Sequence, residues 1–166
     1  MKNAIRFLIL SLILYGCRHT EKDHYESVVY ARDSTKWKLL QDTANDYYKN
    51  DEYTKSIEYF SKLIVHDSTQ GEFYFKRGYS YAMLINKSKA IDDFKKSLLY
   101  NFKNASSCYN IGVNYSYVDD TLALRYFKKC KEIDPTYQNV DLDISDCIHR
   151  ISQRRPKSIL PSKTKQ

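Results

Sequence analysis

The sequence predicts an all-α fold, a short solenoid in which three helical hairpins stack and one further helix closes the C-terminal end. Three observations lead to this prediction. The 166 residues contain only four glycines and three prolines, too few for the many tight turns of an all-β protein. From Trp37 onward the sequence is self-similar at an offset of 34 residues. Within each copy, apolar residues recur every three or four positions, as one face of a helix requires.

The repeat shows as columns of similar residues. One column is small (Ala44, Gly78, Gly112), a second is aromatic (Tyr47, Tyr81, Tyr115), and two later columns are small and aromatic again (Ser56 with Ala90, Phe60 with Phe94). The third copy places Ala123 and Phe127 in those later columns, each one residue early. A single deletion in the turn near Asp119 explains the shift.

Each copy is predicted to form two helices. In the first copy Trp37, Leu40, Ala44 and Tyr47 mark one helical face, and the polar residues that begin at Asn50 end it. The second helix carries an equivalent face from Ser56 to Ile64. Gly78 and Gly112 fall inside helices, where glycine costs about 1 kcal/mol relative to alanine. We therefore expect the paired helix to approach closely there, opposite the small residues Ser56, Ala90 and Ala123.

These columns, with Pro135 at the end of the third copy, resemble the tetratricopeptide repeat (TPR) family. The resemblance covers three repeats, 37–70, 71–104 and 105–135, and implies a right-handed TPR solenoid. Apolar residues at helical spacing from Val140 to Ile151 predict a capping helix over 136–153. The basic segment 154–166 contains Pro156 and Pro161 and is predicted to be disordered.

The resemblance also implies a concave groove lined by the first helix of each repeat. The matching positions are predicted to bind a peptide: Gln41, Asn45, Tyr48, Phe75, Tyr79, Tyr109, Val113 and Tyr117. Aromatic side chains provide large contact areas at small entropic cost, and amides can bind an extended backbone. The alternative is that Phe75, Tyr79 and Tyr109 simply pack against neighbouring helices.

The N-terminal residues predict export and lipid attachment. Lys2 and Arg6 precede an apolar run from Phe7 to Tyr15, as in a secretory leader, and the run is too short to span a bilayer. Residues 14–17 resemble the lipobox of bacterial lipoproteins, which implies cleavage after residue 16, lipidation of Cys17 and a tether over 17–36. An uncleaved signal anchor is the alternative. The residue after Cys17 is arginine, not aspartate, which favours the outer membrane, facing the periplasm.

Charge and motifs argue against nucleic-acid binding and catalysis. The net charge is +7, but six lysines and arginines without any acid lie in the segment Arg150 to Gln166. The body is close to neutral, so a nucleic-acid-binding face is not indicated. That tail could contact a membrane or cell wall, or could be a solubilising end. No phosphate-binding loop, HExxH, paired CxxC or GxSxG is present, so no enzyme activity, cofactor, metal or small-molecule substrate is expected.

Three cysteines remain after Cys17. Cys108, Cys130 and Cys147 lie at apolar positions of predicted helices, which favours buried thiols, although one pair could be bridged in an exported protein. Taken together, the sequence predicts a lipid-anchored scaffold of the cell envelope that binds a peptide or protein. The alternatives are a structural subunit of an outer-membrane biogenesis or secretion assembly, and a regulatory subunit of an envelope enzyme.

Overall fold

The computed structural model describes residues 34–154, and every regular element in that part of the chain is an α-helix. The helices are α1 (34–49), α2 (Tyr53–His66), α3 (Gly71–Met83), α4 (Lys87–Leu99), α5 (Asn104–Tyr115), α6 (Asp120–Ile133) and α7 (Val140–Arg154). The predicted leader, Cys17, the tether as far as residue 33 and the tail from residue 155 lie outside the described residues. None of the described helices is long and apolar enough to cross a membrane.

The chain divides into two compact units, Met1–Asp42 and Thr43–Gln166. In the first, the described residues 34–42 are helical and include residues 34–36, which the sequence assigned to the tether. In the second, successive helices pack against each other from α2 to α7, and α3 also contacts α5. This is the serial packing of a helical repeat, in which each unit buries its apolar face against its neighbours.

Local side-chain hydrogen bonds set the ends of several helices. Asp119 caps α6 by accepting hydrogen bonds from the backbone N–H groups of Thr121 (3.1 Å) and Leu122 (3.0 Å). Two turns that lead from one hairpin to the next share a motif: Asp67 and Asp134 each accept from the backbone N–H two residues later, at 2.9 and 3.0 Å. The repeat is therefore visible in the hydrogen bonds of these turns as well as in the apolar faces of the helices.

Two apolar clusters form the core of the second unit. One is centred on Phe94 and Ile111, the other on Phe127 and the three buried thiols Cys108, Cys130 and Cys147. All three cysteines are free thiols in the structure. Ala90 and Ala123 are fully buried members of these clusters, and Ala44 and Phe60 are fully buried as well, so the predicted helix faces point inward.

Gly78 and Gly112 lie where a side chain would collide with the paired helix. A Cβ at Gly78 would lie 3.3 Å from the carbonyl oxygen of Ala90, which agrees with the expected close approach. At Gly112 the nearest atoms belong to the ring of Phe127, at 2.7 Å, and not to Ala123 as the sequence suggested. The helix contacts therefore depend on glycine at both positions, but for different neighbours.

Candidate functional site

The first helices of successive hairpins share a surface that we call the first-helix face. It is formed by exposed and partly exposed side chains of α1 (from Thr43), α3, α5 and α7, namely Asn45, Tyr48, Lys76, Tyr79, Tyr109, Val113 and Asp143. Direct contacts between first helices occur at both ends of this face. Residues of α1 and α3 meet in its N-terminal half, and residues of α5 and α7 meet in its C-terminal half.

A lysine that the sequence did not single out organises the N-terminal half. The Lys76 ammonium donates to the side-chain oxygen of Asn45 and to the carboxylate of Glu72, both at 2.6 Å. It also lies 5.9 Å from the ring centroid of Tyr48. Lys76 follows Glu72 by one helical turn, a spacing that the sequence shows, but its bond to Asn45 joins residues 31 positions apart. Asn45 therefore lies on the face as predicted, with its amide oxygen already engaged.

Tyr48 and Tyr79 form an aromatic pair beside this lysine. Their ring centroids are 5.6 Å apart, edge to face, and both side chains are partly exposed. Burial, with smaller contributions from Tyr79 and Asp51, raises the pKa of Tyr48 to about 12. The Tyr48 phenol is therefore neutral at physiological pH and can donate a hydrogen bond. This half of the face therefore combines two aromatic rings with an ammonium and an amide.

Phe75 was predicted to line the groove, and the structure shows that it is buried instead. Its side chain is 7% exposed and packs within the core, with ring centroids 5.5 Å from Phe94 and 5.8 Å from Phe102. The sequence placed it on the open face because of its position in the repeat. Phe102 stands where the family usually has proline, and its ring covers Phe75. This leaves Phe75 to stabilise the stack and removes it from the binding surface.

The C-terminal half is built around Tyr109. Its ring packs against Phe127 and Tyr137, with centroid distances of 5.5 and 4.9 Å. Burial and the neighbouring carboxylate of Asp143 raise the pKa of Tyr109 to about 12. Tyr109 is thus partly a packing residue, as the alternative interpretation expected, while Val113 on the same helix is exposed. Asp143, from the capping helix, was not predicted and adds an acid to this end.

Two further predicted residues lie elsewhere. Helix α5 ends at Tyr115, so Tyr117 is in the following turn, with a left-handed backbone (φ 67°) and its ring 4.2 Å from the Arg150 guanidinium carbon. It is therefore not a helical groove residue, and the prediction was wrong in this respect. Gln41 is helical and partly exposed and belongs to the first compact unit. Of the eight predicted residues, the structure brings Asn45, Tyr48 and Tyr79 together at one end of the first-helix face.

The described residues offer neither a metal-binding cluster nor a reactive thiol. Over residues 34–154 no group of three histidine, cysteine or acidic side chains is placed to hold a metal ion. Burial raises the pKa of each of the three thiols, that of Cys130 to about 12, which keeps them protonated and poor nucleophiles. The groups described above on this face are phenols, an amide, carboxylates and a paired lysine, which can hold a polypeptide.

No protein-family model matches this chain, and no curated protein matches it by sequence. Solved structures do match. MamA is similar at a TM-score of 0.66 and 24% identity, over 71% of this chain and 70% of that one. YrrB, a TPR protein described as having an unusual peptide-binding site, is similar at a TM-score of 0.62 and 20% identity, over 69% of this chain and 59% of that one. The second TPR domain of human RPAP3, in complex with the HSP70 peptide SGPTIEEVD, is similar at a TM-score of 0.61 and 16% identity, over 66% of this chain and 92% of that one. The predicted all-α helical repeat is thus confirmed as a TPR-like fold, and likenesses at these identities show the fold alone.

Proposed function

We propose that this chain is a protein-interaction module that binds a peptide or an extended protein segment along the first-helix face. The observation that carries the proposal is the Tyr48–Tyr79 pair beside Lys76 and Asn45, which joins two aromatic rings to polar groups on a partly exposed surface. Two of the similar structures are described by their peptide or peptide-binding site, which supports the same use of this fold here.

The proposal is tested with displayed random peptides selected on the full-length chain, followed by fluorescence polarisation of the selected peptides. The Tyr48→Ala/Tyr79→Ala variant should bind them at least tenfold more weakly, because paired aromatic anchors commonly contribute roughly 1–2 kcal/mol or more each to an interface. Tyr59→Ala is the matched control, since Tyr59 is a partly buried tyrosine on the second helix α2 that also pairs with another ring. Equal binding by the double variant and the control would refute the proposed face.

Phe75→Ala is unsuitable for this test because it opens the core. Loss of binding by that variant would report unfolding as readily as a lost contact. The tyrosine pair avoids the problem, since both rings are partly exposed, and circular dichroism of each variant checks that the helices persist.

We further propose that the module is held at the cell envelope by lipid on Cys17, on the outer membrane and facing the periplasm. The support is the basic, apolar and glycine–cysteine pattern of residues 1–17. Two or three acyl chains suffice for stable anchoring, because each buried methylene contributes about 0.8 kcal/mol. Mass spectrometry of the mature protein from bacterial membranes should show an acylated N-terminal cysteine. A Cys17→Ser protein that stays fully membrane-bound and is processed normally would contradict the proposal.

A further inference from the structure

Two consecutive hairpin turns expose apolar side chains. Met83, Leu84 and Ile85 follow one another where α3 turns into α4, and all three are exposed, Ile85 by 80%. At the corresponding turn between α5 and α6, Tyr117 is 72% exposed and Val118 is exposed as well. Single exposed apolar residues are common, but runs of two or three at adjacent turns are unusual for a surface that meets only water. We call these five residues the hairpin-tip patch.

The two turns belong to one edge of the second unit. Tyr81, just before the first turn, and Tyr115, just before the second, both pack against the core cluster of Phe94 and Ile111. The ends of hairpins two and three are therefore joined through the same core. The patch lies at the hairpin ends and contains none of Asn45, Tyr48, Lys76 and Tyr79, on which the proposed peptide binding rests.

The backbone at these turns is in the left-handed region, which disfavours the side chains that are present. Ile85 has φ 60° and Tyr117 has φ 67°. For a β-branched residue such as isoleucine this conformation is a genuine outlier. The equivalent turn of the first hairpin has Asp51 at φ 60°, a residue type that tolerates the conformation. Isoleucine at position 85 thus gains nothing from local backbone preference and little from packing, so its apolar surface is available to something outside the chain.

The charges around the patch indicate the chemistry of the partner. Lys87 and Lys89 are exposed directly after the first turn. The acids at the second turn are engaged: Asp119 caps α6, and Asp120 is buried and bonded to Arg150. The turn of the first hairpin differs in being polar, since exposed Asp51 accepts from the Tyr53 hydroxyl and exposed Glu52 pairs with Lys55. The edge is therefore apolar with flanking cations at the second hairpin, apolar with the Arg150 guanidinium beside Tyr117 at the third, and polar at the first.

From this arrangement we infer that the hairpin-tip patch contacts an anionic lipid surface, with Ile85 and its neighbours entering the interface and Lys87 and Lys89 facing the headgroups. Protruding apolar side chains need no preformed pocket in a deformable bilayer surface, whereas a protein partner would have to supply a complementary depression. Apolar insertion and cation–headgroup attraction add in such contacts. The turn of the first hairpin presents no exposed large apolar residue, which restricts the contact to the second and third hairpins.

The experiment uses the full-length chain with its single tryptophan moved. Trp37 is replaced by phenylalanine, and a tryptophan is introduced either at Ile85 or, as a matched control, at Val65. Val65 is an apolar residue that is 88% exposed, near the end of α2, so neither substitution disturbs the core. Circular dichroism verifies the fold of both proteins. Each is then mixed with vesicles of phosphatidylcholine and phosphatidylglycerol, or of phosphatidylcholine alone, with and without brominated acyl chains.

The reporter at position 85 should shift its emission to shorter wavelength and be quenched by the brominated chains on the anionic vesicles, with a weaker response on neutral ones. The emission of the reporter at position 65 should neither shift nor be quenched, because that side chain should remain exposed to water. Lys87→Ser/Lys89→Ser in the position-85 reporter should weaken apparent vesicle affinity by roughly thirtyfold, at about 1 kcal/mol for each cation near an anionic surface. The two reporters share the same leader, so any binding through it is common to both.

Three results would overturn the inference. The first is equal behaviour of the two reporters, and the second is equal response to anionic and neutral vesicles. The third is a response of the position-85 reporter to envelope proteins but not to protein-free vesicles, which would assign the hairpin-tip patch to a protein partner instead.

Discussion

Arg77 and Asp93 form a buried ion pair with two hydrogen bonds, Nε to Oδ2 and Nη2 to Oδ1, both at 2.7 Å. The pair joins α3 to α4, and a third bond from Arg77 to the Ser61 hydroxyl at 3.0 Å reaches α2. One guanidinium thus contacts three successive helices. A planar donor of this kind fixes the relative position of its partners better than a flexible ammonium could.

Removing the acid should be much more harmful than removing both charges. Asp93→Ala leaves Arg77 buried without its carboxylate, and we expect the free energy of unfolding to fall by about 3–5 kcal/mol in denaturant titrations. The double variant Arg77→Met/Asp93→Leu should recover most of that loss, since apolar residues of similar size fill the site without a buried charge. A single variant that loses less than about 1 kcal/mol would show that the pair is not needed to hold the three helices.

Gly112→Ala should destabilise the third hairpin more than Gly78→Ala destabilises the second. The added methyl at residue 112 would lie 2.7 Å from ring atoms of Phe127, whereas at residue 78 the nearest atom is the Cβ of Asp93 at 3.0 Å. Overpacking costs about 1–3 kcal/mol, offset by about 1 kcal/mol of helix propensity. Thermal unfolding of both variants gives the ranking. If the contact with Phe127 is responsible, Gly112→Ala/Phe127→Leu will lose less stability than the two single changes added together.

The attachment of the capping helix should weaken in acid. Asp120, at the start of α6, accepts from Arg150 on α7 at 2.9 Å and from the backbone N–H of Tyr117 at 3.1 Å. The hydrogen bond from Arg150 is the main reason why the pKa of Asp120 is lowered. A carboxyl with a lower pKa in the folded state stabilises the fold above its unfolded-state pKa of about 3.9, and loses that contribution as the pH falls through the folded-state value.

Free energies of unfolding measured as a function of pH check this prediction. Wild type should exceed Asp120→Asn by the largest margin near neutral pH, with the two curves converging below about pH 4. Arg150→Met should remove much of the same pH-dependent component, because Arg150 provides the strongest bond to Asp120. Parallel curves for wild type and Asp120→Asn across the acid range would contradict the assignment.

The three thiols of the second core cluster should be protected from alkylation in the native protein. Cys108, Cys130 and Cys147 are fully buried, and burial raises the pKa of each. In a Cys17→Ser protein, iodoacetamide at mildly alkaline pH should label them no faster than the protein unfolds, and all three should react in denaturant. Mass spectrometry counts the modified thiols. Rapid native labelling of Cys130 would mean that its helix opens locally.

Ile85→Asn should stabilise the chain, because asparagine tolerates the left-handed conformation that isoleucine resists. We expect an increase of about 1 kcal/mol in the free energy of unfolding, seen as a higher Tm. Val118→Asn is the control, since Val118 is equally part of the exposed patch but has no left-handed backbone. A loss of stability in Ile85→Asn would show that the isoleucine side chain packs within the chain after all.

Much of the fold could be predicted from the sequence because helix faces are local features. Phe60, Phe94 and Phe127 share a repeat column, and all three are almost completely buried. The errors arose where a residue's environment depends on a distant partner. Phe75 packs against Phe102, an aromatic residue at the position where a proline is usual in such repeats. Lys76 donates a hydrogen bond to Asn45, which lies on another helix. Tyr117 was misplaced because the shortened turn ends α5 earlier than the 34-residue period implies.

The serial arrangement of α2 to α7 has a consequence for how the protein is made. Each helix packs mainly on those next to it in the chain, so most contacts between helices join neighbours in the sequence. Proteins with this property fold rapidly, because few long loops must close before contacts form. A hairpin that emerges from the ribosome can therefore pack against the preceding hairpin before the rest of the polypeptide has been synthesised. Among the described helices α7 is added last, and its Arg150 completes the surroundings of Asp120.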